Sequence, residues 1–153
     1  MYEKAVQMTP NDEQLLGNLG DSYRWSGHSD QAAAAYGKAI SLAFQELQVN
    51  PRSATIMGDL GLLYAKKGDA ANALQYTQQA RAISPDDVQL MYSEAQAKTL
   101  IGKPEDALKS LRLALQKGYA AQEAWNDPEL QKLQALPQFA QLVKEFTPKT
   151  TKP

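Results

Sequence analysis

The sequence predicts an all-α fold of antiparallel helix pairs, and three observations predict it. Ala (23) and Leu (19) far outnumber Val (4) and Ile (4) in the 153-residue chain, a balance that favours helix over sheet. One pattern of small and aromatic residues recurs three times. Each recurrence is punctuated by glycine and proline at the same places.

The recurrence runs Leu19, Gly20, Tyr23, Gly27, Ala32, Tyr36, Ala39, then Leu60, Gly61, Tyr64, Gly68, Ala73, Thr77, Ala80, then Glu94, Ala95, Lys98, Gly102, Ala107, Leu111, Ala114. Offsets from the second member are 3, 7, 12, 16 and 19 residues in all three. Pro10, Pro51 and Pro85 each precede that member by 10 residues. Each unit therefore reads as two helices and a turn. The small residue (Gly20, Gly61, Ala95) admits a neighbouring helix. Gly27, Gly68 and Gly102 end the first helix in a left-handed conformation. Asp69 caps the second helix of its unit, and Pro104 suits a first helical position. Alanines seven apart, such as Ala73 and Ala80, share the face turned to the partner helix. The proline stops the second helix and opens the next unit.

The spacing is not uniform. Gly61 to Ala95 is 34 residues, whereas Gly20 to Gly61 is 41. The extra seven fall between Ala39 and Pro51. Seven residues turn a helix to within about 20° of two full turns, so the insertion adds about 10 Å and keeps the buried face. Ile40, Ala43, Phe44 and Leu47 continue the apolar stripe, which predicts one helix over Ser29–Val49. After Gly118 and Tyr119, Asp127-Pro128 reads as a cap and first turn, followed by Leu130 and Leu133. Leu136-Pro137 opens a last helix with Phe139, Leu142, Val143 and Phe146. This segment is expected to cover the final apolar face of the array.

These residues resemble the tetratricopeptide repeat (TPR), with its Leu-Gly-x-x-Tyr, Ala, aromatic, Ala and Pro signature over a 34-residue unit. The resemblance implies a right-handed superhelix of antiparallel helix pairs. Met1–Pro10 carries Tyr2, Ala5 and Pro10 at the spacing of a second helix, so the chain reads as starting part-way through a repeat of a longer protein. The expected organisation is a half-repeat 1–10, unit one 11–53, unit two 54–87, unit three 88–119, a cap 120–146 and a fraying tail 147–153. The C-terminal pattern is also similar to TPR arrays of bacterial multidomain signalling proteins, where such arrays follow a serine/threonine kinase, a winged-helix regulator or a cyclase.

Charge and chemistry narrow the function. Sixteen Lys and Arg against 17 Asp and Glu give a net charge of -1. Residues 1–76 carry 6 basic and 8 acidic side chains, and the remainder 10 and 9. Neither half is the basic stripe a nucleic acid or anionic membrane would attract, and no 18-residue apolar run is present to insert in a bilayer. With no cysteine, the chain suits the cytosol or the periplasm. His28 stands alone in a turn, so neither metal nor cofactor is expected. Asp86-Asp87 and Glu105-Asp106 sit at helix starts, where they complement the dipole. No serine or threonine has a histidine placed to activate it. A binding protein rather than an enzyme is expected.

The resemblance places the first helices on the concave face. Helical spacing then exposes Gln14, Asn18, Asp21, Arg24 and Trp25 in unit one, Thr55, Asp59, Leu62 and Lys66 in unit two, and Gln89, Tyr92, Ser93 and Gln96 in unit three. Gln, Asn and Asp can bond a peptide backbone, while Trp25, Leu62 and Tyr92 offer anchors. Trp25, Tyr92, Asp21 and Asp59 stand out. Some TPR domains clamp a partner's C-terminal carboxylate with Lys, Asn and Arg. Here the matching positions are Gly17, Asp21, Asp59, Gln89 and Ser93, which predicts a neutral or basic segment instead. The function read is a protein-interaction scaffold that binds a peptide or protein segment in this groove, as a regulatory part of a signalling protein. The alternative is a homodimer through the open N-terminal half-repeat, where Tyr2, Val6 and Met8 pack on unit one by one face only.

Overall fold

The computed structural model describes residues 2–9 and 12–148. The described residues form ten α-helices and one 3-10 turn and no strand: α1 Tyr2–Met8, α2 Glu13–Trp25, α3 Ser29–Val49, α4 Ala54–Lys66, α5 Ala70–Ile83, α6 Val88–Leu100, α7 Pro104–Gln116, α8 Ala121–Asn126, the turn Pro128–Leu130, α9 Gln131–Gln134 and α10 Pro137–Phe146. The fold is all-α, as the sequence predicts. The tail 147–153 was expected to fray; Thr147 and Pro148 are described, and the other five lie outside the described residues, as do Met1, Pro10 and Asn11.

Local chemistry sets the helix ends. Asp12, Ser53, Asp69 and Asp87 accept backbone N–H groups of α2, α4, α5 and α6 at 2.9 to 3.3 Å, each cap worth about 1 kcal/mol. Gly27, Gly68 and Gly102 have φ of 77°, 81° and 76° where first helices turn into second ones, a conformation that disfavours a Cβ. Pro104 starts α7.

Three helix pairs, α2–α3, α4–α5 and α6–α7, make the array. Their contact faces carry the aligned alanines: Ala39, Ala73, Ala80, Ala95, Ala107 and Ala114 are at most 1% exposed. Tyr36, Leu60 and Leu111 fill the seams. The seam between α5, α6 and α7 is tied by Glu94, which meets Lys98 at 2.9 Å and Arg81 at 3.5 Å, while Lys98 donates to Ser110. At the C-terminal end Leu130, Leu133, Phe139, Leu142 and Val143 bury against Leu111, Ala114 and Leu115 of α7. Without them α7 would present an apolar face to water, and burying one such side chain is worth about 1.5–3 kcal/mol.

The N-terminal end differs from expectation. Val6 packs against the first unit's core, and Tyr23 donates to Glu3 at 2.6 Å. Tyr2 is 41% and Met8 84% exposed. Met8 therefore does not pack on unit one. It closes the last turn of a seven-residue helix.

The inserted residues position the site. α4 lies close along α6, but α2 and α4 approach each other less closely. α3 is 21 residues long and remains packed on both α2 and α4. A cleft lies between the two first helices, and Glu46 of the added turns lines it.

Candidate functional site

The cleft lies between α2 and α4, with α3 behind it. Its wider part, about 640 Å³, is lined by Thr9, Asp12, Glu13 and Gln14 on one side, Thr55, Ile56 and Asp59 on the other, and Glu46 of α3. A narrower part continues along Gly17, Asn18, Leu62 and Leu63 to Lys66. The combined space is within the range that takes a few side chains of a ligand.

Four carboxylates face this space, and only one is engaged within the fold. Asp12 caps α2 through Leu15 N–H at 2.9 Å. Among the described residues Glu13, Glu46 and Asp59 form no ion pair. Glu13 is pushed up from an ordinary 4.5 to about 7, first by burial, then by the charges of Asp59, Glu46 and Asp12. Asp59 is pushed up from 3.8 to about 6 by burial and then by Glu46. Like charges held close without a cation disfavour ionisation. The cleft is therefore short of positive charge near neutral pH.

A stability effect follows. Glu13 holds its proton more tightly in the folded chain than in the unfolded one. Its contribution to stability is complete below about 4.5 and is lost as pH rises through about 7. The carboxyl is half-exposed, so solvent screening reduces the full shift to about 1 kcal/mol. Glu13→Gln is expected to match the parent near pH 4.5 and to exceed it by about 1 kcal/mol at pH 8. Urea denaturation at the two pH values measures this; equal stability at pH 8 would mean that Glu13 is fully hydrated.

Beyond Lys66 the concave face is not open. Asp21, expected on the exposed stripe, is only 7% exposed. It accepts from the Tyr36 hydroxyl at 2.6 Å and from Lys66 Nζ at 2.7 Å. Arg24 donates through Nε to the Tyr36 hydroxyl at 3.2 Å and through Nη2 to Glu129 Oε1 at 2.6 Å. Lys66 Nζ also lies 3.5 Å from Glu129. Two cations and two carboxylates thus balance in a site where the Asp21, Lys66 and Glu129 side chains are at most 10% exposed.

Tyr92, expected as an exposed anchor, is covered as well. It is 4% exposed, stacked on Tyr119 with ring centroids 3.8 Å apart. Its hydroxyl donates to Asp127 Oδ2, which also accepts from Gln96 at 2.7 Å. Burial and the adjacent carboxylate both raise the Tyr92 hydroxyl's pKa. The physical reason is the same for Asp21 and Tyr92. The segment Asp127–Leu130 folds back into the groove and covers the stripe.

The expected stripe therefore divides. Gln14, Asn18, Thr55, Asp59 and Leu62 line the cleft. Asp21, Arg24, Tyr92 and Gln96 serve the covered face. Lys66 stands at the boundary of the two. Trp25 is 60% exposed, with the Arg24 guanidinium 5.8 Å from its ring centroid, and lines neither part of the cleft. Gln89 lies exposed in the first turn of α6, with Ser93 half-buried one turn on, also outside the cleft. Of the two acidic clamp positions, Asp21 is already neutralised and only Asp59 is unpaired.

Residues 12–86 match the family model described as tetratricopeptide repeat. The chain is 33% identical over 92 residues, 60% of its length, to human protein O-mannosyl-transferase TMTC1. It is 29% identical over 115 residues, 75% of its length, to cellulose synthase operon protein C of Pseudomonas fluorescens. Those stretches make up 10% and 8% of the two proteins, so the chain spans a tenth or less of each. Apart from Thr9 the cleft lies within the matched residues, on the first helices of units one and two with Glu46 of α3.

Sequence reasoning missed Glu13, Glu46 and Glu129, and read Asp127 only as a cap. Glu46 had a readable signal, because it follows Ala39 and Ala43 by seven and three residues on the buried face of α3. An acid at that place in the stripe marks a surface that is not closed by packing.

Proposed function

We propose that this chain is a protein-interaction scaffold that takes a basic or neutral partner segment in the cleft between α2 and α4. The observation that carries this reading is the cleft lined by Glu13, Glu46 and Asp59, which no cation among the described residues pairs. TPR units mediate protein–protein contact in general. Gln14, Asn18 and Thr55 offer donors and acceptors to a peptide backbone, and a lysine or arginine supplies the missing charge. The acidic lining disfavours nucleic acid, and no described helix is long and apolar enough to cross a membrane. The reading is of a binding module rather than an enzyme. His28 supports it, exposed at the start of α3 with its ring 6.3 Å from that of Tyr23.

Fluorescence polarisation with two labelled decapeptides, one bearing two lysines and one bearing two glutamates, tests the reading. The basic peptide is expected to bind tighter. Its affinity should rise several-fold from pH 5.5 to 8 as Glu13 and Asp59 ionise. Asp59→Asn should weaken it roughly tenfold, about 1.4 kcal/mol. Tighter binding of the acidic peptide, or indifference to Asp59→Asn, would sink the idea.

Two finer readings go with it. Membership of a bacterial signalling protein is supported by the long second helix, the Asp127-Pro128 turn and Pro137-Gln138-Phe139. Self-association is supported by the exposed Tyr2 and Met8 on α1. Sedimentation at high concentration separates it from the scaffold reading, since a strict monomer removes it.

A further inference from the structure

The face of the groove beyond Lys66 is occupied by the chain's own Asp127-Pro128-Glu129-Leu130 turn. The occupancy is specific. Asp127 Oδ1 accepts Glu129 N–H at 2.8 Å and shapes the turn. Asp127 Oδ2 is taken by Tyr92 and Gln96 of unit three. Glu129 Oε1 is taken by Arg24 of unit one and Lys66 of unit two. The Arg24 contact joins residues 105 apart in sequence. One short turn therefore touches the first helices of all three units, as a bound peptide would. The fit is incomplete, because Glu129 Oε2 is buried without a hydrogen-bond partner.

We propose that Arg24, Lys66, Tyr92 and Gln96 form a recognition site for an acidic turn, two carboxylates two residues apart, and that residues 127–130 are its resident ligand. The partner that fits is a protein segment of the same chemistry, which displaces the resident turn. The site adjoins the acidic cleft, shares only Lys66 with it, and takes a ligand of opposite charge. Lys66 stands where the two meet, so an acidic residue at the end of a cleft ligand can draw it from Glu129. The resident turn is tethered, and its effective concentration is of order millimolar. An external segment of equal intrinsic affinity therefore competes poorly until the resident carboxylate is weakened.

The probe is a fluorescent peptide copying residues 124–134, titrated into the full chain. Glu129→Gln in the chain keeps the shape and removes the charge. It is expected to raise affinity for the peptide at least ~10-fold over the parent. Glu→Gln at the corresponding place in the peptide should abolish that gain. Hydrogen exchange on the parent chain with millimolar peptide gives a second reading without a variant. Amides of residues 128–136 should exchange faster as the turn is displaced. A folded Glu129→Gln chain that binds no better than the parent, or parent exchange that excess peptide leaves unchanged, would overturn the proposal. Failure of the basic peptide at the cleft would leave this result untouched, and the reverse holds too.

Discussion

Lys66→Met is expected to destabilise the chain by about 3 kcal/mol, a large part of the roughly 5–15 kcal/mol that holds a domain folded. The lysine side chain is 10% exposed and lies between Asp21 and Glu129, themselves 10% and 7% exposed. Methionine keeps the volume and removes the charge. Arg24 then faces two buried carboxylates alone. The loss comes less from the missing attraction than from the anion left without compensation. Urea titration measures it. Restoring neutrality with Glu129→Gln in the same chain should recover at least ~1 kcal/mol, because neighbouring substitutions in one network couple. Arg112→Ala provides the contrast. Arg112 bonds both oxygens of Glu145 at 2.9 Å, but the two side chains are 46% and 52% exposed. An exposed pair of this kind is worth about 0.5 kcal/mol. Equal losses for the two variants would mean that the buried network is solvated.

Gly61→Ala is expected to cost about 2 kcal/mol. A Cβ there would stand 2.6 Å from Thr77 Cγ2, 3.0 Å from the Thr77 backbone nitrogen and 3.2 Å from the Ala73 carbonyl oxygen. Two of those three atoms belong to the backbone of α5, so the α4–α5 pair must part to admit the methyl. Alanine's better helix propensity returns about 1 kcal/mol, and overpacking outweighs it. Gly17→Ala has the opposite sign. Its Cβ would meet Leu63 Cδ2 at 3.7 Å, an ordinary contact, so the propensity gain of about 0.5–1 kcal/mol is kept. Thermal unfolding of the two variants distinguishes them. A neutral Gly61→Ala would show that the two helices do not need their close approach.

The repeat made the helices legible because each boundary is written locally. Asp69 and Asp87 accept the first N–H groups of the helices they precede, and a proline or glycine closes the previous element. The seven-residue insertion was legible as a longer α3 because helical periodicity carries the stripe through Leu47. Its consequence was not. That α2 and α4 stand apart depends on where three helices settle, which no local spacing states. The covered half of the groove was hidden for a related reason. Asp21 and Tyr92 do sit on the concave side by periodicity, but periodicity reports a direction and not what lies there. The Arg24–Glu129 pair spans 105 residues, and nothing near either residue announces the other. Asp127-Pro128 was readable as a cap, yet its second oxygen's partners on α6 were not.

Amide chemical-shift mapping of the labelled chain, titrated with the two-lysine peptide at pH 8, tests the central claim most directly. The account predicts perturbations clustered at Glu13, Gln14, Asn18, Glu46, Thr55 and Asp59, with Tyr92 and Asp127 unmoved. Perturbations gathered instead around the exposed Trp25, or none at saturating peptide, would contradict it.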